Sequence, residues 1–325
     1  MVKRLISQLE KSQGAIRDRG CDLDLNQIHS LYQSYLSQNH SLELLKKTRN
    51  RSSAQIKISG PRSELIQESK RLKLQVAKAE EDLQSLEHSL LSLVSQLPNE
   101  THPDTPKGDE SHAMLIKTIG TPRVSCGNSP LKDHLELGQM HDLVDFERAG
   151  KITGSSFYYL KNAGALLELA LSRYALDICI RHGFTPVLPP DVIRYDLVDG
   201  CGFKPRSDDP QTYFVHHSNP DQEPKLSLAA TAEFPLAGMY AQETLSKKQL
   251  PIKMVALGCA FRAEGQAGSV NRGLYRVHQF SKVEMFGLCE PLESQKLFDE
   301  ITAIQEEIYS GLDLCFRYIA LHISS

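Results

Sequence analysis

The sequence predicts an α+β protein, with a helical N-terminal arm followed by a body of helices and short strands. Three observations support this prediction. Apolar residues recur with a heptad period between Leu65 and Leu97. A stretch rich in Pro, Asp, Gly and Ser follows, and after it polar helical segments at 135–150 and 161–182 alternate with short strands. The chain therefore divides into an arm (1–97), a linker (98–130) and a body (131–325).

The arm is predicted to be an antiparallel two-helix coiled coil. Nine of the ten heptad positions from Leu65 to Leu97 are apolar, and a weaker repeat runs upstream from Ile28 to Ile56. Gly60-Pro61 interrupts the pattern between the two repeats. Two helices joined by a short turn can bury their apolar stripes only by folding back on each other.

A basic cluster covers the part of the arm nearest to that turn. Residues 44–78 contain ten Lys and Arg but only two Glu. A solvated surface is the usual meaning of such a run, and neutralisation of a phosphate backbone is the alternative. No aromatic platform accompanies the cations, so any nucleic acid would be read by backbone and shape. The cluster consists of Lys46, Lys47, Arg49, Arg51, Lys57, Arg62, Lys70, Arg71, Lys73 and Lys78.

Bulk composition constrains the compartment only loosely. The seven cysteines show no CxxC pair, which is typical of a reducing intracellular compartment. No run of 18 apolar residues predicts a membrane span. The N-terminus places Lys3, Arg4 and Lys11 beside apolar residues, as in an organelle presequence, but Glu10 and Asp18 argue against one. Targeting stays open.

Residues 261–286 carry the densest mixture of cations, carboxylates, glycines and aromatics, in the order FRAEGQAGSVNRGLYRVHQFSKVEMF. The pattern predicts a hairpin, with Arg262 and Glu264 in its first strand and a second strand from Tyr275 to Phe286. Alternate residues share a face of a strand. That face would hold Arg276, His278, Phe280, Lys282 and Glu284. A surface hairpin with exposed ion pairs is the alternative interpretation.

The order of these residues resembles motif 2 of class II aminoacyl-tRNA synthetases, in the version found in seryl-tRNA synthetases. SLAATAEFPLAGMY (227–240) contains Thr231-Ala232-Glu233, which is similar to the family's TAE serine-binding loop, although alone it would indicate a capped helix start. GFTPVLPPDVIRYDLVDGCGF (183–203) resembles motif 1, although alone it would indicate a proline-bounded turn. The resemblance covers about residues 25–315, includes the family's junction between arm and body, and overall is strongest to mitochondrial forms.

The resemblance implies an incomplete class II synthetase domain, an antiparallel β-sheet flanked by helices, and two ligand sites. The implied ATP-binding residues are Arg262, Ala263, Glu264, Arg276, Val277 and Phe280. The implied serine-binding residues are Thr231, Ala232, Glu233, Arg262 and Glu284. Arg262, Arg276 and Glu284 would form the catalytic set, with Mg²⁺ bridging phosphate oxygens. Lys282 and His278 are expected to be structural and to pair with nearby carboxylates.

The implied activity is serine–tRNA ligation. The partners would be ATP, L-serine, tRNA(Ser) contacted by the basic cluster, and a second copy of the chain in a homodimer. The implied location is the mitochondrial matrix, with the cytoplasm as the alternative. The family's metal-binding glutamate and motif 3 arginine have no counterpart before Ser325, so the resemblance implies a truncated, impaired enzyme with no metal ligand of its own. A non-catalytic tRNA-binding or dimerising paralogue is the alternative.

Overall fold

A computed structural model describes residues 9–59, 63–123, 131–203, 211–216, 224–263 and 273–321. The chain forms two compact units. The first comprises Met1–Thr118 and Arg317–Ser325, and the second comprises Ile119–Phe316.

Nine helices and ten strands follow one another within the described residues. The N-terminal elements are α1 (Leu9–Asp18), α2 (Leu25–Ser59), α3 (Ser63–Val94) and β1 (Met114–Ile119). The next are α4 (His134–Met140), β2 (Val144–Asp145), α5 (Phe146–Thr153), β3 (Tyr159–Leu160), α6 (Asn162–Arg181), β4 (Thr185–Val187), β5 (Val192–Arg194) and α7 (Tyr195–Gly200). The last are β6 (Phe214–Val215), β7 (Leu226–Leu228), α8 (Glu233–Gly238), β8 (Ile252–Phe261), β9 (Gln279–Leu288), α9 (Ser294–Gly311) and β10 (Phe316–Ala320).

The arm is an antiparallel helical hairpin, as its sequence predicts. Ile28 near the start of α2 packs against Leu90 and Val94 near the end of α3, and Lys46 pairs with Glu80 farther along. All ten predicted heptad positions of α3 and the segment after it are buried or half-buried. The heptad period predicts the buried residues correctly because each helix of a two-helix hairpin buries a single apolar face against the other helix.

The predicted linker is not irregular throughout. A short 3₁₀ turn, Glu110–His112, leads into β1, and β1 pairs with β10 in a two-stranded ribbon. The strand was missed because Pro, Asp and Gly dominate the composition around it.

The single helix predicted over 135–150 is wrong, since two helices occupy this segment. Asp142 adopts a positive φ of 49°, and β2 follows it and pairs with β3. The Asp145 side chain then accepts a hydrogen bond from the Arg148 amide and starts α5. A local cap and a strand pairing thus override helical propensity.

The sheet that carries the site has the order β4-β8-β9. β4 runs parallel to β8, and β8 pairs with β9 in an antiparallel ladder from Ile252↔Leu288 to Phe261↔Gln279. The predicted hairpin is therefore present, but its strands are shorter than predicted. Arg262 lies just beyond β8, although its amide still donates to the His278 carbonyl at 2.9 Å. β9 begins at Gln279 because the His278 amide donates to the Ser156 carbonyl instead of to the partner strand.

Opposite faces of this sheet are covered by different layers. Val255 packs with Ile178 of α6 and Ile304 of α9 on one face. Met254 and Ala256 face the other side, toward Ala232 and Leu236. A second sheet, β5-β7-β6, is antiparallel and leads into that second layer. Among the described helices, none combines the length and apolarity that crossing a bilayer requires.

Candidate active site

The candidate site is built on one face of β9. Phe280, Lys282 and Glu284 alternate along the strand and therefore share this face. Arg276 and His278 were predicted to continue the same strand but precede it, and the His278 amide donates to the Ser156 carbonyl of a loop.

The TAE segment crosses this face at close range. Gly258 pairs with Lys282 in the ladder, and a Cβ added to Gly258 would lie 3.0 Å from the Ala232 Cβ. The Phe261 amide also donates to the Ala229 carbonyl at 2.9 Å. A side chain at position 258 would push the segment away, so glycine is required here for the close approach.

We call the group formed by Thr231, Ala232, Lys282 and Glu284 the amino-acid half. The Thr231 hydroxyl donates to Glu284 Oε1 at 2.6 Å, and the Ala232 amide donates to Glu284 Oε2 at 2.6 Å. Lys282 Nζ lies 2.9 Å from Glu284 Oε1 and 2.9 Å from the Thr231 hydroxyl oxygen. The Glu284 side chain is only 18% exposed. The structure thus brings together three of the residues that the resemblance assigns to serine.

Glu233 and Arg262, the other two residues assigned to serine, lie differently. Glu233 begins α8, and its amide is 3.4 Å from the Thr231 hydroxyl, but the residue is exposed. Its carboxylate has no hydrogen bond or ion pair with any described residue. Arg262 lies at the other end of the site.

We call the cleft around Arg262 the nucleotide half. Its volume is about 470 Å³. Four of the predicted ATP-binding residues line it: Arg262, Arg276, Val277 and Phe280. The other lining residues are Tyr158, Gln211, Leu274 and Tyr275. Ala263 lies beside the cleft, since its amide donates to the Gln211 carbonyl at 3.0 Å. Glu264 is outside the described residues.

Arg262 is held in place but not fully bonded. Its guanidinium carbon is 5.1 Å from the centroid of the Phe280 ring, a cation–π distance. Its Nε is buried and has no hydrogen-bond partner among the described residues. A buried donor without a partner costs about 1–3 kcal/mol, so this N–H favours a ligand with acceptor oxygens.

His278 positions the backbone of Arg262. Its Nδ1 is 2.8 Å from the Arg262 carbonyl oxygen and 2.9 Å from the Tyr213 hydroxyl, and its ring stacks on Phe157 at 5.0 Å. A carbonyl oxygen only accepts, so Nδ1 carries the proton. Burial raises the pKa of Tyr213, which stays protonated at neutral pH. His278 has no carboxylate partner among the described residues, whereas the ion pair of Lys282 with Glu284 confirms the prediction for Lys282.

Sequence reasoning missed several residues of the site. Tyr158, Gln211 and Tyr213 come from loops distant in sequence, and no local signal marks them. Lys282 was named but treated as structural, although its place between Phe280 and Glu284 on one strand face already put it inside the site.

The basic cluster is largely exposed on the arm. Lys46 pairs with Glu80 at 2.8 Å and lowers the pKa of that carboxyl, while Arg71 pairs with Glu68 on its own helix. Arg49 donates to the Asn50 side chain. Lys47, Arg51, Lys70, Lys73 and Lys78 are exposed and have no ion-pair partner among the described residues. The Lys57 side chain and Arg62 are outside the described residues.

No group of three or more His, Cys, Asp and Glu that could hold a metal ion occurs in the described ranges.

Comparisons with known families match both parts of the chain. The model of the seryl-tRNA synthetase N-terminal domain matches residues 2–101. The model of the class II tRNA synthetase core domain (G, H, P, S and T) matches residues 213–325.

Individual relatives agree with these matches. The serine–tRNA ligase of Treponema denticola is 38% identical over 322 residues, covering 98% of this chain and 74% of its own length. The mitochondrial serine–tRNA ligase of Mus musculus is 39% identical over 236 residues, covering 72% of this chain and 45% of its own length. The crystal structure of the Pyrococcus horikoshii seryl-tRNA synthetase complexed with ATP superposes with a TM-score of 0.83 at 31% identity, covering 98% of this chain and 76% of that one. The chain therefore belongs to the seryl-tRNA synthetase family of serine–tRNA ligases.

Proposed function

We propose that this chain activates serine with ATP through the residues of the two halves and transfers the seryl group to tRNA(Ser). One observation carries the proposal. Phe280 of the nucleotide half and Glu284 of the amino-acid half lie on the same face of one strand, with only Lys282 between them on that face. Serine and ATP bound side by side on this face would bring the serine carboxylate next to the α-phosphate.

The first step joins serine to the nucleotide. A serine carboxylate oxygen forms a bond to the α-phosphorus of ATP, the bond from that phosphorus to the bridging oxygen breaks, and pyrophosphate leaves. Catalysis of such a displacement consists of alignment and charge neutralisation. Arg262, with its buried Nε, would grip the α-phosphate and the serine carboxylate, and Arg276 would hold the outer phosphates.

The base of ATP would lie against the Phe280 ring at the wall of the cleft. An aromatic face gives stacking energy without base-specific hydrogen bonds. Val277, which is buried, and Ala263 would contribute backbone contacts beside it. Glu264 belongs to the proposal through the resemblance alone.

Serine selection would rest on Glu284 and Thr231. The Glu284 carboxylate is mostly buried and can accept from the ammonium and hydroxyl groups of the amino acid. Alanine would leave one of these acceptors unpaired, at a cost of about 1–3 kcal/mol. Ala232 and Glu233 would complete this subsite through a backbone amide and a nearby negative charge.

Mg²⁺ would enter with ATP and neutralise phosphate charge. The second step would use the same two halves: a ribose hydroxyl oxygen of the tRNA terminus bonds to the seryl carbonyl carbon, the bond from that carbon to the phosphate oxygen breaks, and AMP and the hydroxyl proton leave. The ATP complex of the Pyrococcus horikoshii enzyme, which shares this fold at 31% identity, supports nucleotide binding by this chain.

Serine-dependent exchange of labelled pyrophosphate into ATP tests this proposal. The chain and the Treponema denticola ligase should be assayed together, and the proposal expects serine-dependent exchange by both. A chain that binds tRNA but shows no exchange and no serine or ATP binding would support the alternative of a non-catalytic tRNA-binding or dimerising paralogue.

The exposed cations of the arm would bind the tRNA backbone. Replacing Lys47, Arg51, Lys70 and Lys73 by Gln should weaken tRNA(Ser) binding about uniformly across sequence variants and flatten its salt dependence. Serine and ATP binding should not change. An unaltered salt slope would contradict this assignment.

Two further assignments complete the proposal. A homodimer is supported by α6, which exposes Leu166, Leu167 and Leu169 at 67%, 56% and 67%. A mass of twice the monomer, measured by light scattering on the purified chain, would confirm the homodimer.

A mitochondrial matrix location is supported by the murine relative, and the bacterial relatives support the cytoplasmic alternative. Imaging of the tagged chain in its own cells distinguishes them.

A further inference from the structure

Lys282 contacts two polar side chains of the amino-acid half at once. Its Nζ lies 2.9 Å from both Glu284 Oε1 and the Thr231 hydroxyl oxygen. These are the two side chains to which the proposed function assigns the serine ammonium and hydroxyl. The Lys282 ammonium therefore contacts the same two side chains, Glu284 and Thr231, that would bind the serine ammonium.

The surroundings of Glu284 leave little room for two cations at once. Oε2 receives the Ala232 amide at 2.6 Å, while Oε1 receives both Lys282 and the Thr231 hydroxyl, at 2.9 Å and 2.6 Å. A carboxylate oxygen offers about two acceptor sites. An ammonium that binds Oε1 must therefore displace one of its two donors, whereas Oε2 keeps one acceptor site.

Lys282 is the donor that can leave. Thr231 is 8% exposed, and its hydroxyl is tied to the helix start through the Glu233 amide. The Lys282 side chain is 30% exposed and ends a flexible four-carbon stem. A burial cost for an unpaired Glu284 explains why a cation should stay there while no ligand is bound.

We propose that Lys282 is a resident counter-cation of the amino-acid half, which the ammonium of the bound amino acid replaces and which then pairs with that ligand's carboxylate. This inference rests on the proposed function and adds a residue to it. Lys282 lies between Phe280 and Glu284 on the strand face, so the released ammonium remains beside the junction where the serine carboxylate meets the α-phosphate. The exchange keeps the number of cations on Glu284 constant.

A ligand without a carboxylate separates this role from simple support of the fold. L-Serinamide keeps the ammonium and hydroxyl of serine but lacks the negative charge. In Lys282→Met, serinamide no longer competes with the Lys282 ammonium for Glu284 and has no carboxylate that could lose a partner. Its Kd should therefore fall about three- to tenfold, which corresponds to the strength of a partly exposed ion pair. L-Serine also loses the competing ammonium, but its carboxylate loses Lys282 as a partner. The ratio of serinamide Kd to serine Kd should therefore decrease.

Two variants of the full chain control the experiment. Lys282→Arg keeps the charge and should leave serinamide binding near the unsubstituted value. Lys253→Met removes a different half-buried lysine, one on β8 that pairs with Glu300 at 2.8 Å, and should change thermal stability without changing either Kd. Titration calorimetry with serine and serinamide measures both affinities, and thermal unfolding shows that each variant is folded.

The outcomes are distinct. Tighter serinamide binding by Lys282→Met, with a reduced preference for serine, supports the inference. Weaker binding of both ligands by a folded Lys282→Met overturns it and leaves the proposed function standing, because Lys282 would then merely shape the pocket. Absence of serine and serinamide binding by the unsubstituted chain overturns the proposed function, and the inference with it.

Discussion

The two halves of the candidate active site differ in how far the chain satisfies its own polar groups. In the amino-acid half, Glu284 has donors on both oxygens from Thr231, Ala232 and Lys282. In the nucleotide half, the buried Nε of Arg262 has no partner among the described residues, and the cleft is open. Binding in the first half must exchange existing contacts, which favours selectivity, whereas binding in the second adds contacts, which favours affinity and charge neutralisation.

The largest effect is expected for Arg262→Ala. In the proposed mechanism the guanidinium neutralises the reacting phosphate, so the substitution should reduce exchange about 100- to 1,000-fold, comparable to loss of a transition-state donor elsewhere. Serine affinity should fall less than exchange, because serine loses only the Arg262 contact to its carboxylate while the amino-acid half keeps its internal contacts. Equal losses in both halves would show that the site does not divide as described.

Glu284→Gln is expected to have the next largest effect, in the opposite half. The neutral amide cannot attract an ammonium, so serine affinity should fall about 10- to 100-fold. Calorimetric ATP affinity should remain close to that of the unsubstituted chain. ATP affinity that falls as far as serine affinity would contradict separate halves.

His278→Phe is expected to act on the nucleotide half without touching ligand. Phe can keep the stacking on Phe157 but cannot donate to the Arg262 carbonyl. We expect exchange to fall about tenfold through kcat, with the KM for serine unchanged, as for a misplaced catalytic group. Tyr213→Phe is a milder companion, since it removes the second acceptor of the same Nδ1 proton.

Gly258→Ala is expected to produce the smallest effect, confined to the amino-acid half. The new methyl would lie 3.0 Å from the Ala232 Cβ, so the TAE segment must shift by a few tenths of an ångström. The KM for serine should rise about three- to fivefold, with the KM for ATP unchanged. Gly150→Ala is the matched control, because a Cβ at this helix position has no atom within 4 Å. It should leave both KM values unchanged.

The arm and the site differ in how well a sequence predicts them. In the arm, each apolar residue at a heptad position has the same partner layer, so the period alone predicts the buried seam from Leu65 to Leu97. In the body, β9 was recognised from alternation, but its start was placed four residues early at Tyr275. The reason is that the His278 amide donates to the Ser156 carbonyl instead of to the partner strand, so the ladder ends there.

The amino-acid half was predictable in part. Thr231, Ala232 and Glu284 meet as the resemblance implies, because close packing over Gly258 brings the TAE segment onto the strand face. Tyr213 and Gln211 were not predictable, since their role depends on tertiary placement of a short segment. The ion pair of Lys282 with Glu284 was predicted, but its contact with the Thr231 hydroxyl was not, because that contact depends on the placement of the TAE segment.

A crystal structure of the chain with a non-hydrolysable sulfamoyl analogue of seryl-adenylate tests the central claim most directly. The account predicts the ammonium of the analogue on Glu284, its base beside Phe280, and its sulfamoyl group within hydrogen-bond distance of Arg262, with Lys282 moved off Glu284. An analogue that binds in another cavity, or that spans this face with Arg262 and Glu284 on unrelated parts of the ligand, would contradict it.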